Sequence, residues 1–462
     1  MQCIKHIIRF LKIILVVLPV CLSQSSCKKF LDEKPNQALA IPSTLKDLQA
    51  LIEQPAIYSS GPSYAEFVAD NYYATTASWN AVFEQEWRMG YIWDANARGY
   101  SPTWSNSYTV IYYANVVLDY LPKVAISPSE ATAADQIRGS ALYYRAFQFH
   151  QLAQVFCNPF TTSASTDMGI VLRTSSAIAT PSVRSTVPQT YDQVIADLKT
   201  AAELLPVTAL AATRPNKAAA YGLLARVYLS MREYANALIY AEKALQINNR
   251  LMDYNLLTPA NQPTFPFFTT NPEIQVASDQ LSTCILVTSP SHCKIDSALY
   301  QSYDVNDLRK LVFFRSSGNT QYWWGNYMNA LTQESFLFDG IANDEIYLIR
   351  SECRARAGNV TDALSDLNTL LRHRWKTGTF TDLTTSDPDT ALAWILRERR
   401  KELLFRGLRW SDLRRFNLEG ANITLKRIIN NTTYTLPPND LRWTLLIPDA
   451  EINRSGIPQN PR

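Results

Sequence analysis

The chain has 462 residues, of which 47% are hydrophobic and 18% are charged, a balance that excludes an intrinsically disordered protein. Its formal net charge is +3, and three basic residues, Lys5, Arg9 and Lys12, lie in the first twelve positions. The rest of the chain is therefore close to neutral and carries no basic block. This argues against nucleic acid as a partner.

The first 27 residues have the pattern of an export signal. The three basic residues precede a short apolar run at 13–18, and Ser25 and Ser26 stand directly before Cys27. This order is that of a secretory signal peptide, and the run is too short for a permanent membrane-spanning helix. Because a cysteine follows the small residues, residues 1–26 resemble a bacterial lipoprotein signal, and Cys27 would be the lipidated first residue. A plain signal peptide and a helix retained in the inner membrane are the alternatives.

Apolar residues at helical spacing predict four helices in the first half of the chain. They span residues 44–53, 109–121, 133–156 and 191–205. Ser43 or Thr44 is the expected N-cap of the first helix. The third is apolar around much of its circumference, which is typical of a buried helix.

Two later segments resemble each other. Residues 217–247 and 343–374 each have the pattern of a helix, a short turn and a second helix, and they align with Ala237 on Ala363. Small residues at such positions let paired helices approach closely. The pattern is that of the tetratricopeptide helix pair. Because two units are too few for a free-standing solenoid, we expect other helices to complete the scaffold.

The segment between these units, 257–335, contains five prolines and few helical stripes, which predicts a loop-rich region. Short strands are predicted at 284–288 and 311–315. Near the end of the chain, 430–437 and 442–447 alternate in polarity like the two strands of a hairpin.

The cysteines do not form a disulfide scaffold, since only four remain beyond Cys27 in a long chain. Cys284 and Cys293 could close one local loop or stay as two thiols. Cys157 and Cys353 lie in apolar helical patterns and are expected to be buried packing residues.

The usual catalytic and metal-binding motifs do not occur in the sequence. There is no HExxH, GxSxG, GxGxxG or P-loop string, and His292 beside Cys293 lacks a second ligand pair at metal spacing. We therefore predict no catalytic residue, no metal site and no cofactor. A hydrolase with a carboxylate pair stays an alternative, because its two acids need only meet in space.

Aromatic residues suggest a binding surface. Four of the ten tryptophans fall between residues 58 and 113, and a second cluster occupies 322–327. Rings presented from loops suit sugar rings or peptides, although many such rings are expected to be core. The predicted ligand-binding rings are Trp93, Trp104, Trp323, Trp324 and Tyr327. The predicted polar partners are Asp70, Arg98 and Asn106.

Residues 398–415 are dense in arginine and carboxylate at helical spacing. An active site could lie there, but a structural network of ion pairs is the favoured interpretation.

Four motifs, in order along the chain, resemble the RagB/SusD family of outer-membrane lipoproteins. They are the start Cys27 to Pro35, the helix Gly139 to Phe156, the charged helix Glu398 to Arg415, and the ending Leu446 to Asn453 with Gln459-Asn460-Pro461. The resemblance covers essentially the whole chain after the signal.

The resemblance implies a mainly α-helical, tetratricopeptide-like scaffold with a loop-rich ligand-binding face and a few short strands. It divides the chain into a signal peptide at 1–26, an N-terminal region at 27–230 and a C-terminal region at 231–462 that includes the insert 257–335. It also implies a non-catalytic surface lipoprotein that passes oligosaccharide to a SusC-like TonB-dependent transporter. A peptide-binding RagB-like protein and a surface glycoside hydrolase are the alternatives. The family does not assign the site residues, which rest on composition and position.

Overall fold

A computed structural model of the chain describes residues 41–462, with the exception of 59–60, 63, 163–164, 260–264, 268–269, 282–288, 290 and 329–334. Cys27 and Cys284 lie outside the described residues. The helices of the first half are α1 (Leu45–Glu53), α2 (Pro55–Tyr58), α3 (Tyr64–Phe67), α4 (Thr76–Asn80), α5 (Gln85–Tyr91), α6 (Ser101–Tyr120), α7 (Ala131–Phe156), α8 (Val187–Leu204) and α9 (Lys217–Ser230). Those of the second half are α10 (Tyr234–Ile247), α11 (Ser297–Gln301), α12 (Arg309–Phe313), α13 (Asn343–Arg356), α14 (Val360–Arg372), α15 (Pro388–Glu402), α16 (Arg409–Leu418) and α17 (Asp449–Ser455).

The strands are short and pair in separate sheets of two or three strands. They are β1 (Gly61–Pro62), β2 (Tyr72–Tyr73), β3 (Met168–Val171), β4 (Arg184–Thr186), β5 (Phe265–Phe267), β6 (Ile274–Val276), β7 (Gln280–Leu281) and β8 (Lys294–Ile295), followed by β9 (Phe314–Ser317), β10 (Thr320–Trp323), β11 (Tyr327–Met328), β12 (Ser335–Phe336), β13 (Ile341–Ala342), β14 (Leu425–Ile429) and β15 (Thr432–Leu436). The predicted mainly α-helical fold with a few short strands is confirmed.

The four helices predicted in the first half are all present. The predicted N-cap of α1 is confirmed, because the Thr44 hydroxyl accepts a hydrogen bond from the Asp47 backbone N–H at 3.2 Å and the Asp47 carboxylate accepts one from the Thr44 N–H at 2.9 Å. Helices α6 and α8 begin earlier than predicted. Each has a proline in its first turn, Pro102 and Pro188, where the missing N–H would have had no helical partner.

The predicted pair of repeats is present as α9–α10 and α13–α14, and α10 packs against α13. The turns correspond, since Arg232 and Gly358 occupy the same position and both have a left-handed backbone, with φ of +63° and +79°. Helices α6, α7 and α8 pack in succession onto α9 and so extend the helical array. The expectation that other helices complete the scaffold is confirmed.

The predicted hairpin near the end of the chain is wrong in its pairing. The partner of β15 is β14, and the two strands are joined at Asn430 and Asn431, which both have positive φ. Two such residues form the tight turn that matches strand twist. Residues 442–447 form no strand, and Leu446 makes a single bridge with Arg98.

The two strands predicted inside the loop-rich segment have different outcomes. The strand predicted at 311–315 is displaced, since Arg309–Phe313 is helix α12 and β9 begins at Phe314. The strand predicted at 284–288 lies outside the described residues.

The charged helix is a buried ion-pair network, as expected. The Arg309 guanidinium is fully buried and contacts Asp307, Glu398 and Glu402 at 2.7, 2.5 and 3.0 Å. Arg374 shares Glu402 at 2.7 Å. These pairs join α12 and the residue that closely follows α14 to α15, so Glu398 and Glu402 of this motif bind arginines from two other parts of the chain.

Residues Thr44–Arg462 form one compact unit, with one large hydrophobic cluster and a second, smaller cluster centred on α14 and α15. Among the described residues, no helix combines the length and the apolar character that crossing a bilayer requires.

Candidate ligand-binding face

The two aromatic-rich stretches of the sequence lie next to each other in the fold. Strand β2 pairs with β8 in antiparallel register, with Tyr73 opposite Lys294, and β10 lies beside β8. Residues more than two hundred positions apart therefore lie in one region of the fold.

Most rings of the first stretch are core. Tyr64, Phe67, Trp87 and Tyr91 form a buried cluster with centroids 4.6 to 6.2 Å apart. The predicted ligand residue Trp93 adjoins this cluster and is only 3% exposed. Its indole N–H donates to the Val68 carbonyl at 3.0 Å, and the Arg427 guanidinium lies 4.5 Å from its ring centroid.

The hairpin formed by β9 and β10 separates the second cluster into two faces. Trp323 is opposite Phe314 and Tyr322 is opposite Arg315. Because successive side chains of a strand point to opposite faces, Trp323 and Phe314 share one face while Tyr322 and Arg315 share the other. Trp323 packs inward, with its ring 4.8 Å from that of Phe405.

Gly325 allows the chain to turn closely past this packed ring. A Cβ atom at Gly325 would lie 2.7 Å from the Trp323 indole and 2.9 Å from the Phe313 ring. Any larger residue there would push Trp323 out of its position.

The outward side of the hairpin carries a cation and two rings, Arg315, Tyr322 and Trp324, which we call the hairpin face. The Arg315 guanidinium lies 4.7 Å from the Trp324 ring centroid, and the Tyr322 ring meets Trp324 at 6.3 Å and 74°. The indole N–H of Trp324 donates to the Pro259 carbonyl at 3.2 Å. All three side chains are half-buried, so part of each is accessible.

Backbone carbonyls hold Arg315 in this position. Its Nη1 donates to the carbonyls of Leu311 and Phe314 at 2.6 and 2.8 Å. Burial lowers the pKa of Arg315 from its ordinary value, but an arginine remains charged at neutral pH. The face therefore offers a fixed positive charge beside an aromatic platform.

Two other predicted rings are placed elsewhere. Tyr327 is buried between Phe265 and Phe338, with centroid distances of 4.4 and 4.9 Å. Trp104 is buried on α6 against Tyr108 and Phe156, at 4.9 and 5.2 Å. Of the predicted rings, Trp324 lies on the hairpin face, Trp323 is half-buried against Phe405 on the opposite face, and Tyr327 is buried.

The predicted polar residues make internal contacts. Asp70 accepts two hydrogen bonds from Arg409, at 2.7 and 2.9 Å. Burial alone would raise the pKa of Asp70, but the Arg409 guanidinium overcomes it and lowers the pKa to about 2. Arg98 pairs with Asp449 at 2.7 Å, and Asn106 is half-buried on α6. A role of these residues in binding stays a prediction.

Sequence reasoning missed Arg315 and Tyr322 as members of one site. Tyr322 was visible within the aromatic cluster, but only the strand register places Arg315 opposite it. A strand placed at 311–315 hid this partnership, because it put Arg315 at the end of an element and not at its start.

The side chains of His150 and His292 make contacts within the protein. His150 is buried, its Nε2 lies 3.2 Å from the Ser230 hydroxyl, and burial lowers its pKa to about 3. His292 Nδ1 lies within 3.0 Å of the hydroxyls of Ser289 and Ser291. Within the described ranges, no group of three His, Cys, Asp or Glu side chains is arranged to hold a metal ion. Cys157 and Cys353 are buried, as predicted.

Comparison with known families matches most of the chain. Residues 29–229 match the SusD-like family described as starch-binding and associating with the outer membrane, and residues 344–461 match the SusD family. The chain belongs to the SusD/RagB family. Among curated relatives, this SusD/RagB member is 25% identical over 378 residues to SusD-like protein P2 of Formosa agariphila, covering 69% of the chain and 72% of that protein.

Solved structures share the fold. One is a protein of Bacteroides vulgatus that is described provisionally as sugar-binding. It superposes with a TM-score of 0.73 at 24% identity, covering 91% of this chain and 99% of the other. A SusD superfamily protein of Bacteroides thetaiotaomicron gives 0.73 at 22%, covering 91% and 100%. A laminarin-binding SusD-like protein gives 0.66 at 16%, covering 91% and 100%.

Proposed function

We propose that this SusD/RagB member is a cell-surface lipoprotein that captures oligosaccharide on the hairpin face. It delivers the glycan to a SusC-like TonB-dependent transporter in the outer membrane. In this proposal Cys27 carries the lipid, and the chain binds its ligand without transforming it.

The observation that carries the proposal is the arrangement of Arg315, Tyr322 and Trp324. A pyranose ring presents an apolar C–H face and a rim of hydroxyls. The Trp324 ring would stack on the C–H face, as aromatic side chains combine a large apolar area with a defined orientation. Arg315 and Tyr322 would hydrogen-bond the hydroxyls at the edge, since both carry donors close to the ring.

The comparisons support the same function and location. The matching family is described as starch-binding and associating with the outer membrane, and one structural neighbour is described as laminarin-binding. The lipoprotein-like signal before Cys27 agrees with an exported, anchored protein.

The experiment is affinity electrophoresis of the soluble chain that starts at residue 27. Gels contain starch, laminarin, xylan, pectin or alginate, and a peptide digest of casein is tested by calorimetry. We expect retardation in at least one glycan gel, and Trp324→Ala should weaken that binding at least tenfold, as for a central aromatic anchor.

The matched control is Phe83→Ala, which removes a ring that is 93% exposed and outside the hairpin face. It should bind like the unmodified chain. Absence of retardation in all five gels contradicts glycan capture, and binding of the casein peptides alone favours the peptide-binding alternative. Release of reducing sugar from a retained glycan would instead indicate a hydrolase.

A further inference from the structure

A second aromatic surface lies on α6, distinct from the hairpin face. Trp104, Tyr108 and Tyr112 are spaced four residues apart and so share one side of the helix, about 6 Å apart along its axis. They line a groove of about 760 Å³ whose other walls are the loop 171–182 and helix α17. We call this the α6 groove.

Exposure increases along the row of rings. Trp104 is buried, Tyr108 is half-buried, and Tyr112 is 40% exposed. The Tyr108 hydroxyl is already used, because it donates to the Val171 carbonyl at 2.9 Å and accepts from the Val171 N–H at 3.1 Å. Tyr108 thus fixes the floor of the groove, and Tyr112 presents its ring at the accessible end.

Hydrogen bonds hold the loop wall at its middle and across its two ends. Asp119 accepts hydrogen bonds from the Ser176 N–H at 2.7 Å and from the Ser176 hydroxyl at 2.8 Å. Arg173 donates to the Thr180 carbonyl at 2.5 Å and to the Ser182 hydroxyl at 2.7 Å. The groove is therefore preformed, which lowers the cost of ordering a binding site.

The third wall adds charges and hydroxyls. Helix α17 contributes Glu451, Arg454 and Ser455, and its first residue, Asp449, is anchored by Arg98 at 2.7 Å. The Arg454 side chain is largely exposed. Carboxylate, guanidinium and hydroxyl groups thus stand opposite the aromatic row.

We infer that the α6 groove is a second binding site for the glycan, an inference that rests on the proposed function. A pyranose would stack on Tyr112, and its hydroxyls would meet Glu451, Arg454 and Thr109. A saccharide fits better than an apolar peptide, because the walls combine aromatic rings with hydroxyl, carboxylate and guanidinium groups. Two sites on one chain would bind a polysaccharide with avidity.

The test uses the glycan gel that retards the soluble chain starting at residue 27. The variants are Tyr112→Ala, Tyr112→Phe, Arg454→Ala, Trp324→Ala and the double variant Tyr112→Ala with Trp324→Ala, with Phe83→Ala as control. We expect Tyr112→Ala to raise the dissociation constant for the polysaccharide about fivefold to tenfold, and Arg454→Ala to raise it by less. Tyr112→Phe should bind like the unmodified chain, because it keeps the stacking ring. Each single variant should still be partly retarded in the glycan gel, whereas the double variant should not be retarded at all.

The outcomes separate this inference from the proposed function. If Trp324→Ala weakens binding while Tyr112→Ala and Arg454→Ala leave it unchanged, the second site is overturned and the hairpin face stands. If Tyr112→Ala weakens binding while Trp324→Ala does not, the α6 groove is supported and the hairpin face is overturned. Absence of retardation in every gel overturns both. Circular dichroism of each variant checks that the fold is retained.

Discussion

The Arg315 guanidinium lies 4.7 Å from the centroid of the Trp324 ring, on the face of the hairpin that also carries Tyr322. The strand register creates this arrangement, since Arg315 is the cross-strand partner of Tyr322 and Trp324 is two residues beyond it. A cation over an exposed ring contributes about 0.5–1 kcal/mol and holds the ring in one orientation. The ring is thus oriented before a ligand arrives.

Replacement of Arg315 tests this orientation directly. We expect Arg315→Gln to weaken binding of the retained glycan about threefold to tenfold, because the ring loses its cation and the ligand loses a charged donor. The free energy of unfolding should fall by about 1 kcal/mol, because the hydrogen bonds to the Leu311 and Phe314 carbonyls are lost. Calorimetric titration and urea unfolding give the two quantities.

A matched control is Arg372→Gln, at an exposed arginine that pairs with Asp382. It should leave glycan binding unchanged. Equal affinity of Arg315→Gln and the unmodified chain would remove Arg315 from the site.

The fold could be predicted for segments whose structure depends on their own residue pattern. Helix α7 is buried along most of its length, and its apolar circumference in the sequence already indicates this. The repeats were visible because small residues recur at equal spacing. The terminal hairpin was misplaced because its register depends on the left-handed turn at Asn430 and Asn431, and not on the alternation of its strands.

The equivalent turns of the two repeats allow a test of backbone strain. Gly358 has φ +79°, and a Cβ atom there would meet no atom within 4 Å. Gly358→Ala should therefore cost only the backbone penalty, about 1–2 kcal/mol of unfolding free energy. Gly358→Asn should cost less, since asparagine tolerates this conformation. Urea unfolding of the two variants measures this penalty. Equal stability of Gly358→Ala and the unmodified chain would contradict a left-handed backbone at Gly358.

The buried arginine at the centre of the charged network is expected to be essential for stability. Arg309→Met would remove the cation that Asp307, Glu398 and Glu402 share. These three buried carboxylates would keep Lys401 and Arg374 as their buried cationic partners. Breaking a buried pair by removing one partner typically costs 3–5 kcal/mol. We expect a large loss in the free energy of unfolding or failure to fold. Arg372→Met, at an exposed pair, is the control and should change stability by less than about 1 kcal/mol.

The candidate site could be predicted only in part, because it depends on which side of a strand each residue faces. Trp323 and Trp324 are equivalent by composition and both are half-buried, yet Trp323 packs against Phe405 while Trp324 lies beside Arg315 on the other face. Asp70 looked like a ligand-binding carboxylate, but its partner Arg409 is more than three hundred residues away in sequence. No local pattern contains that information.

The lipid anchor is tested by metabolic labelling. In cells given an alkyne-tagged fatty acid, the full-length chain should be labelled and Cys27→Ala should not be. A Cys21→Ala variant is the control and should be labelled normally, because Val20 before it is not small. Labelling that persists in Cys27→Ala would show that the lipid is attached elsewhere.

A buried carboxylic acid gives the fold a defined pH dependence. Glu66 is buried on α3, where it accepts hydrogen bonds from the Asn71 amide at 2.8 Å and the Gly407 N–H at 3.2 Å. Burial raises the pKa of Glu66 to about 7, above that of an unfolded glutamate. The folded chain therefore binds this proton more tightly than the unfolded chain does. The resulting stabilisation is present below pH 4.5 and is lost as the pH rises through 7.

Glu66→Gln imitates the protonated acid and removes this dependence. Relative to the unmodified chain, the variant should gain roughly 2–3 kcal/mol of unfolding free energy between pH 5 and pH 8. Urea unfolding at several pH values measures the difference. Glu130→Gln is the control, because hydrogen bonds from Ser127 lower the pKa of Glu130 and both folded and unfolded states are ionised over this range. If the curves for Glu66→Gln and the unmodified chain run parallel from pH 5 to 8, then Glu66 does not titrate near neutrality and is not the source of the dependence.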